Sequence, residues 1–201
     1  MTNPTVPEFD RQANQIESVG AAAAISEHAT VYRRQPLTMN TSDITRSLSS
    51  TFSELLDGPA KGSAVVLNTG DIGLLRSLDK LSATDASRSV NEGATIAAHA
   101  QHVRFGLSLM NRWASEGGDP FSDAKWDAAW KISTVDEAQW KEIRSGLRDE
   151  AYRWVTVLAT PREARGIEVS GMVGSIAHLA YHLGAIRQIS KGTRGPREGT
   201  F

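Results

Sequence analysis

Four stretches of the chain place apolar residues three and four apart, the spacing that gathers them on one side of an α-helix. The first starts at Thr41 or Ser42, either of which can cap a helix. It continues through Ile44, Leu48, Phe52, Leu55 and Leu56, and stops at Gly58 and Pro59. The second covers about Gly93 to Ala114, with Ile96, Val103, Leu107 and Met110 on one face, and ends at Gly117, Gly118 and Pro120. Thr134 and Glu137 form an S/T-x-x-E capping box that opens the third. Its stripe is Ala138, Ile143, Leu147, Ala151, Trp154, Val155 and Leu158, with Pro161 beyond its end. The fourth runs from about Ser170 to Ser190 through Met172, Val173, Ile176, Leu179, Ala180, Leu183 and Ile186.

Shorter pieces join these stretches. Ala64 to Leu67 is a brief apolar run, and Asp71 can cap a short helix through Ile72, Leu75 and Leu78. Phe121, Trp126 and Trp130 lie in the second long connection, as anchors that pack over the helices rather than as a ligand cage. No pair of strands with hairpin turn chemistry is evident. The pattern predicts an all-α protein, a four-helix bundle with short extra helices in its loops. Ile44, Leu48, Val103, Met110, Leu147, Trp154, Ile176 and Leu183 should share its core. Residues 1–38 form no long apolar stripe and read as a loosely ordered N-terminal extension. The bundle then occupies residues 39–190, and residues 191–201, rich in glycine, form a flexible tail.

Composition narrows the chemistry. The chain has 201 residues, 40% hydrophobic and 22% charged, and no cysteine. That excludes disulfides, cysteine-ligated zinc, iron–sulfur clusters and a cysteine nucleophile. Formal net charge is −1, with no basic stripe, which argues against a nucleic-acid partner. No run of about 18 apolar residues suggests a membrane span. Ala21 to Ile25 is too short for the core of a signal peptide, so a cytoplasmic location is expected.

The histidines carry the most information. Of five, four form two close pairs: His99 with His102, and His178 with His182. Residues four apart on a helix stand one above the other, so His178 and His182 can bind one metal ion together. No Glu follows His178, which removes the H-E-x-x-H metalloprotease reading. No Glu-x-x-His occurs, which speaks against a di-iron carboxylate bundle. On the second helix His99 lies near the middle of the apolar face, and His102 about 60° to one side at the usual 100° per residue. The wheel therefore selects His99 as third ligand and leaves His102 as a supporting or surface residue. Three protein nitrogens leave coordination positions open, as at catalytic rather than structural zinc sites. Gly171, Gly174 and Ser175 leave room beside such an ion. Glu92, two turns from His99, is a candidate acid, base or ligand support.

Two segments resemble the DinB-like (YfiT-type) superfamily: Thr95 to Phe105 (TIAAHAQHVRF) and Ile176 to Ile189 (IAHLAYHLGAIRQI). The shared pattern is one histidine on the second long helix and H-x-x-x-H on the last, and the resemblance spans roughly residues 39–189. It implies an up-down-down-up four-helix bundle, often dimeric, with a divalent metal, commonly zinc or nickel, on His99, His178 and His182. It further implies a small-molecule substrate and a metal-dependent transferase activating a low-molecular-weight thiol. Metal-assisted hydrolysis at the same site, or a non-catalytic stress-response protein in which the metal only braces the helices, are the competing expectations.

Overall fold

The computed structural model describes residues 41–196, where every regular element is helical and no strand occurs among the described residues. The extension expected over residues 1–38, and residues 197–201 of the expected tail, lie outside that range. Seven α-helices follow in order: α1 Thr41–Asp57, α2 Gly73–Asp79, α3 Ala83–Ala86, α4 Ile96–Glu116, α5 Trp126–Trp130, α6 Glu137–Ala159 and α7 Gly166–Ile189. A single 3-10 turn, Lys191–Thr193, ends the series.

Local chemistry sets these boundaries. Thr95 caps α4, its hydroxyl accepting the Ala98 N–H at 3.1 Å. Glu92 therefore falls in a turn before the helix, at φ 57°, and is exposed. The capping box of α6 is Asp136 with Gln139, two residues beyond the Thr134–Glu137 pair that the motif predicts. The Gln139 N–H donates to Asp136 at 2.8 Å, and the Asp136 N–H donates to Gln139 at 2.9 Å. Glu137 is free to do something else, and accepts the Ala83 N–H at 2.8 Å, tying α3 to α6. The fourth long helix starts at Gly166 rather than near Ser170, because Glu168 accepts the Arg165 N–H at 2.7 Å and supports an earlier first turn.

Among the long helices, α4 packs against α6 and α7, and α1 packs against the same two. Their shared core includes Phe52, Leu55, Leu56, Val103, Leu147, Leu179, Leu183 and Ile186. Trp140 and Trp154 are fully enclosed because each indole N–H has an acceptor. Trp140 donates to the Leu81 carbonyl at 2.8 Å, and Trp154 to the Ser175 hydroxyl at 2.9 Å. Of the expected core, Val103, Leu147, Trp154 and Leu183 are buried, and Leu48, Met110 and Ile176 are half-buried against it. Ile44 stays at the margin, outside the cluster. The first turn of α4 is enclosed on every side, from Ile96 to Ala100, since alanines let α3, α6 and α7 approach closely.

Alone among the described helices, α7 is long and apolar enough to cross a bilayer by length and composition, so the expected absence of such a segment does not extend to it. Here Met172, Leu179, Leu183 and Ile186 pack into the core, and Ile167, Val173 and Tyr181 remain exposed.

Two carboxylates fasten the connections. Buried Glu54 on α1 accepts the backbone N–H groups of Val65, Val66 and Leu67 at 3.1, 2.8 and 2.6 Å, so the Ala64–Leu67 run wraps a charge instead of forming an element. Asp71 accepts the Gly73 N–H at 2.8 Å and both contacts from Arg187 of α7 at 2.7 and 2.9 Å. Gly73 is required there. Its φ is 69°, and a Cβ would stand 2.5 Å from the backbone nitrogens of Asp57 and Gly58. The segment after α7 is not loose through Pro196. Thr193 is 1% exposed, and Gly195 lies so close to the Asp71 carboxylate that a side chain there would collide with it.

Candidate metal centre

Helices α4 and α7 face one another with four histidines between them. His178 and His182, one turn apart on α7, bring their Nε2 atoms to 3.0 Å. His102 of α4 places its Nε2 3.1 Å from that of His178. One nitrogen of each of these three rings lies within 4.8 Å of the others, a set able to hold a metal ion. Ligand nitrogens around a tetrahedral ion at the usual zinc–nitrogen length stand roughly 3.3 Å apart, a few tenths from the observed spacing.

Hydrogen bonds among the rings do not account for this convergence. A neutral imidazole nitrogen carries either one lone pair or one hydrogen. His178 Nε2 can therefore satisfy only one of the two nitrogens beside it. A cation shared by the three rings satisfies all of them. His102 Nδ1 is buried without a partner among the described residues, so nothing on that side competes for the ring.

His99, the ligand that the apolar wheel of α4 predicts, stands behind the set. Its Nδ1 is 2.9 Å from His182 Nδ1. With His182 Nε2 turned as a lone pair toward the other rings, its Nδ1–H donates to His99. Such a contact fixes the tautomer and the orientation of a ligating ring. That His102 as well as His99 comes up to the α7 histidines follows from the breadth of the buried surface. Ala97, Ala98, Ala100, Gly106, Leu109 and Asn111 are buried as well as the apolar stripe, so His102 lies on an enclosed side of α4 and not at an edge.

Burial, and then the charges that neighbouring imidazoles would carry, push His182 down to about 3 and His102 down to about 4. Burial lowers His99 and His178 as well. All four rings are thus neutral near pH 7, the form that ligates metal.

Helix α5 covers the cluster. Trp130 stacks on His102 at 4.3 Å between ring centroids and 28° between planes, and meets His99 edge-on at 5.4 Å. Trp126 lies 5.6 Å from His102 and 5.4 Å from Phe105. Both indoles pack over the helices as expected of that connection, but they are more than a third exposed and lie against the histidines. A tryptophan at each end of a five-residue segment is a weak signal. Only the placement of that segment over α4 gives it meaning.

Beside His178 a cavity of about 270 Å³ opens between α4 and α7, and Gly171, Gly174 and Ser175 all line it. Glu92 makes no contact with the histidines among those described. Arg104 and Arg187, each five residues after a histidine, pair with Glu142 and Asp71 instead. Comparisons with protein-family models, with curated proteins and with solved structures returned no match.

Proposed function

We propose that the protein holds one divalent ion on His102, His178 and His182 and uses it to activate a small molecule, as the DinB-like proteins it resembles do. In this reading the long helices form an up-down-down-up four-helix bundle, and the reaction is transfer to or from a low-molecular-weight thiol. The observation that carries it is the convergence of three Nε2 atoms at 3.0 and 3.1 Å, in rings that burial keeps neutral. A set of three imidazoles without carboxylate suits zinc or nickel better than magnesium or calcium. An ion so held keeps its charge and lowers the pKa of a thiol or water that reaches it.

The chain's own residues supply the rest. His99 holds His182 in its ligating tautomer, and Trp130 shields one face of His102 from water. His178 is only half-buried and borders the cavity, which favours a position open to exchange over a closed site that merely braces the helices.

Metal analysis of protein prepared without a polyhistidine tag tests this. About one ion per chain is expected. His102→Ala, His178→Ala or His182→Ala should abolish it, and His99→Ala should weaken affinity by about 10- to 100-fold. Loss of the ion in His99→Ala with retention in His102→Ala would reverse the ligand assignment. A wild-type protein that binds no ion would end the reading.

A further inference from the structure

The cavity beside His178 differs from the surface hollows in one respect: no side chain lining it carries a formal charge. Its walls are Val103, Leu107, Met110, Phe121 and Trp126 on one side and the glycine-rich turn of α7 on the other. The Ser175 hydroxyl is already used, accepting from Trp154 and donating to the Met172 carbonyl at 2.7 Å. The His178 ring at one end is the polar group left. A dry cavity of about 150 Å³ lined by aliphatic and aromatic side chains is enough to take a benzene ring, and this one is about 270 Å³.

Two glycines keep it open. A Cβ on Gly106 would stand 3.7 Å from His178 Cε1 and 3.8 Å from Trp126 Cζ3, filling the gap between the histidine and the indole. Gly174, across from it on α7, has nothing within 4 Å of the corresponding position. The cavity shares Met110, Phe121 and Gly171 with a wider hollow of about 610 Å³ in which Arg165 and Asp119 appear, so polar parts of a longer ligand meet charge only further out.

We infer that this cavity binds a small, uncharged, flat hydrocarbon group, such as a phenyl ring, whose attached donor atom faces His178. The inference rests on the metal reading for the donor end alone. Apolar side chains cannot compensate the desolvation of a charged group, and flat aromatic walls favour a planar one.

The test uses the full chain loaded with cobalt(II) and three thiols: benzyl mercaptan, 2-mercaptoethanol and 2-mercaptoethanesulfonate. Each binds as thiolate, its proton passing to the buffer, and is followed by the thiolate-to-cobalt charge-transfer band. Benzyl mercaptan should bind at least about tenfold more tightly than either of the others, the scale on which filling an apolar pocket discriminates. Gly106→Leu, or Gly174→Leu if the first variant does not fold, should bring benzyl mercaptan down to the affinity of 2-mercaptoethanol measured in the same variant. Equal or tighter binding of the sulfonate, or a preference that survives both variants, overturns the inference. If cobalt does not bind, the metal reading fails, and toluene added to the metal-free protein decides the cavity by itself. A raised melting temperature that Gly106→Leu abolishes supports the inference, and no shift overturns it.

Discussion

Two buried polar clusters share helix α7, and they are built on opposite principles. Around Asp71 the two charges pair: Arg187 Nη2 donates to both carboxylate oxygens and the Gly73 N–H donates to one of them, while Arg187 Nε is buried without a partner among the described residues. Five residues back along the helix, His182 belongs to a group of four rings whose nearest partners are one another. The first cluster balances its formal charges and ties α7 to the turn before α2. The second gathers imidazole nitrogens with no carboxylate or cationic side chain among their hydrogen-bond partners. That difference is what the proposed ion site rests on, since clustered neutral imidazoles suit a cation supplied from outside.

The sharpest way to separate the two is to damage the charge-balanced one. Arg187→Ala leaves a carboxylate buried and unpaired, and should lower stability by about 3 kcal/mol, read by urea or thermal unfolding. Metal stoichiometry of the folded fraction should not change. If it falls with stability, the clusters are not independent.

Glu54→Gln is expected to act in the same direction but less, by about 1–2 kcal/mol, because an amide keeps one acceptor for three backbone donors. Unfolding curves again measure it, and protection of the Val66 and Leu67 amides from hydrogen exchange should fall with it. Unchanged protection would mean that the loop is held by something other than the carboxylate.

The smallest effect touches the histidines alone. His102 and His182 are more acidic folded than unfolded, so the unfolded chain takes up protons first as pH drops through about 6.5. Stability of the metal-free protein should therefore be full well above that value and fall as pH approaches and passes it, by roughly 0.4 kcal/mol for each ring between pH 7.5 and 6.5 and more steeply below. His102→Ala and His182→Ala should each flatten the slope. A stability that rises on acidification across this range would contradict neutral, buried rings.

Much of this was legible in residue spacing, and the remainder failed for identifiable reasons. Helical period marked all four long helices because burial of one stripe is what fixes a helix in a protein. It misjudged their starts where a second capping pair stood close by, as Asp136 and Gln139 do beside Thr134 and Glu137. The pair His178 and His182 was readable because four-residue spacing places both rings on one face. The choice between His99 and His102 was not, because a wheel ranks positions by the apolarity of their neighbours. The small residues around His102 conceal how enclosed that side of α4 is. Long-range partnerships left no local trace: nothing near Glu54 announces that Val66 and Leu67 will fold back onto it, and nothing near Arg187 points to Asp71.

The tryptophan cover has an optical consequence. Two of the five indoles in the chain touch the histidines, whereas Trp140 and Trp154 are sealed in the core with their N–H groups satisfied. The two populations should emit at different wavelengths, the half-exposed pair to the red. That pair touches the histidines, and Trp126 also lines the cavity between α4 and α7, so both indoles are placed to respond to an ion or a ring entering there. The red edge of the emission is thus a reporter already present in the molecule, able to follow occupancy of the site without a label while the blue edge monitors the integrity of the fold.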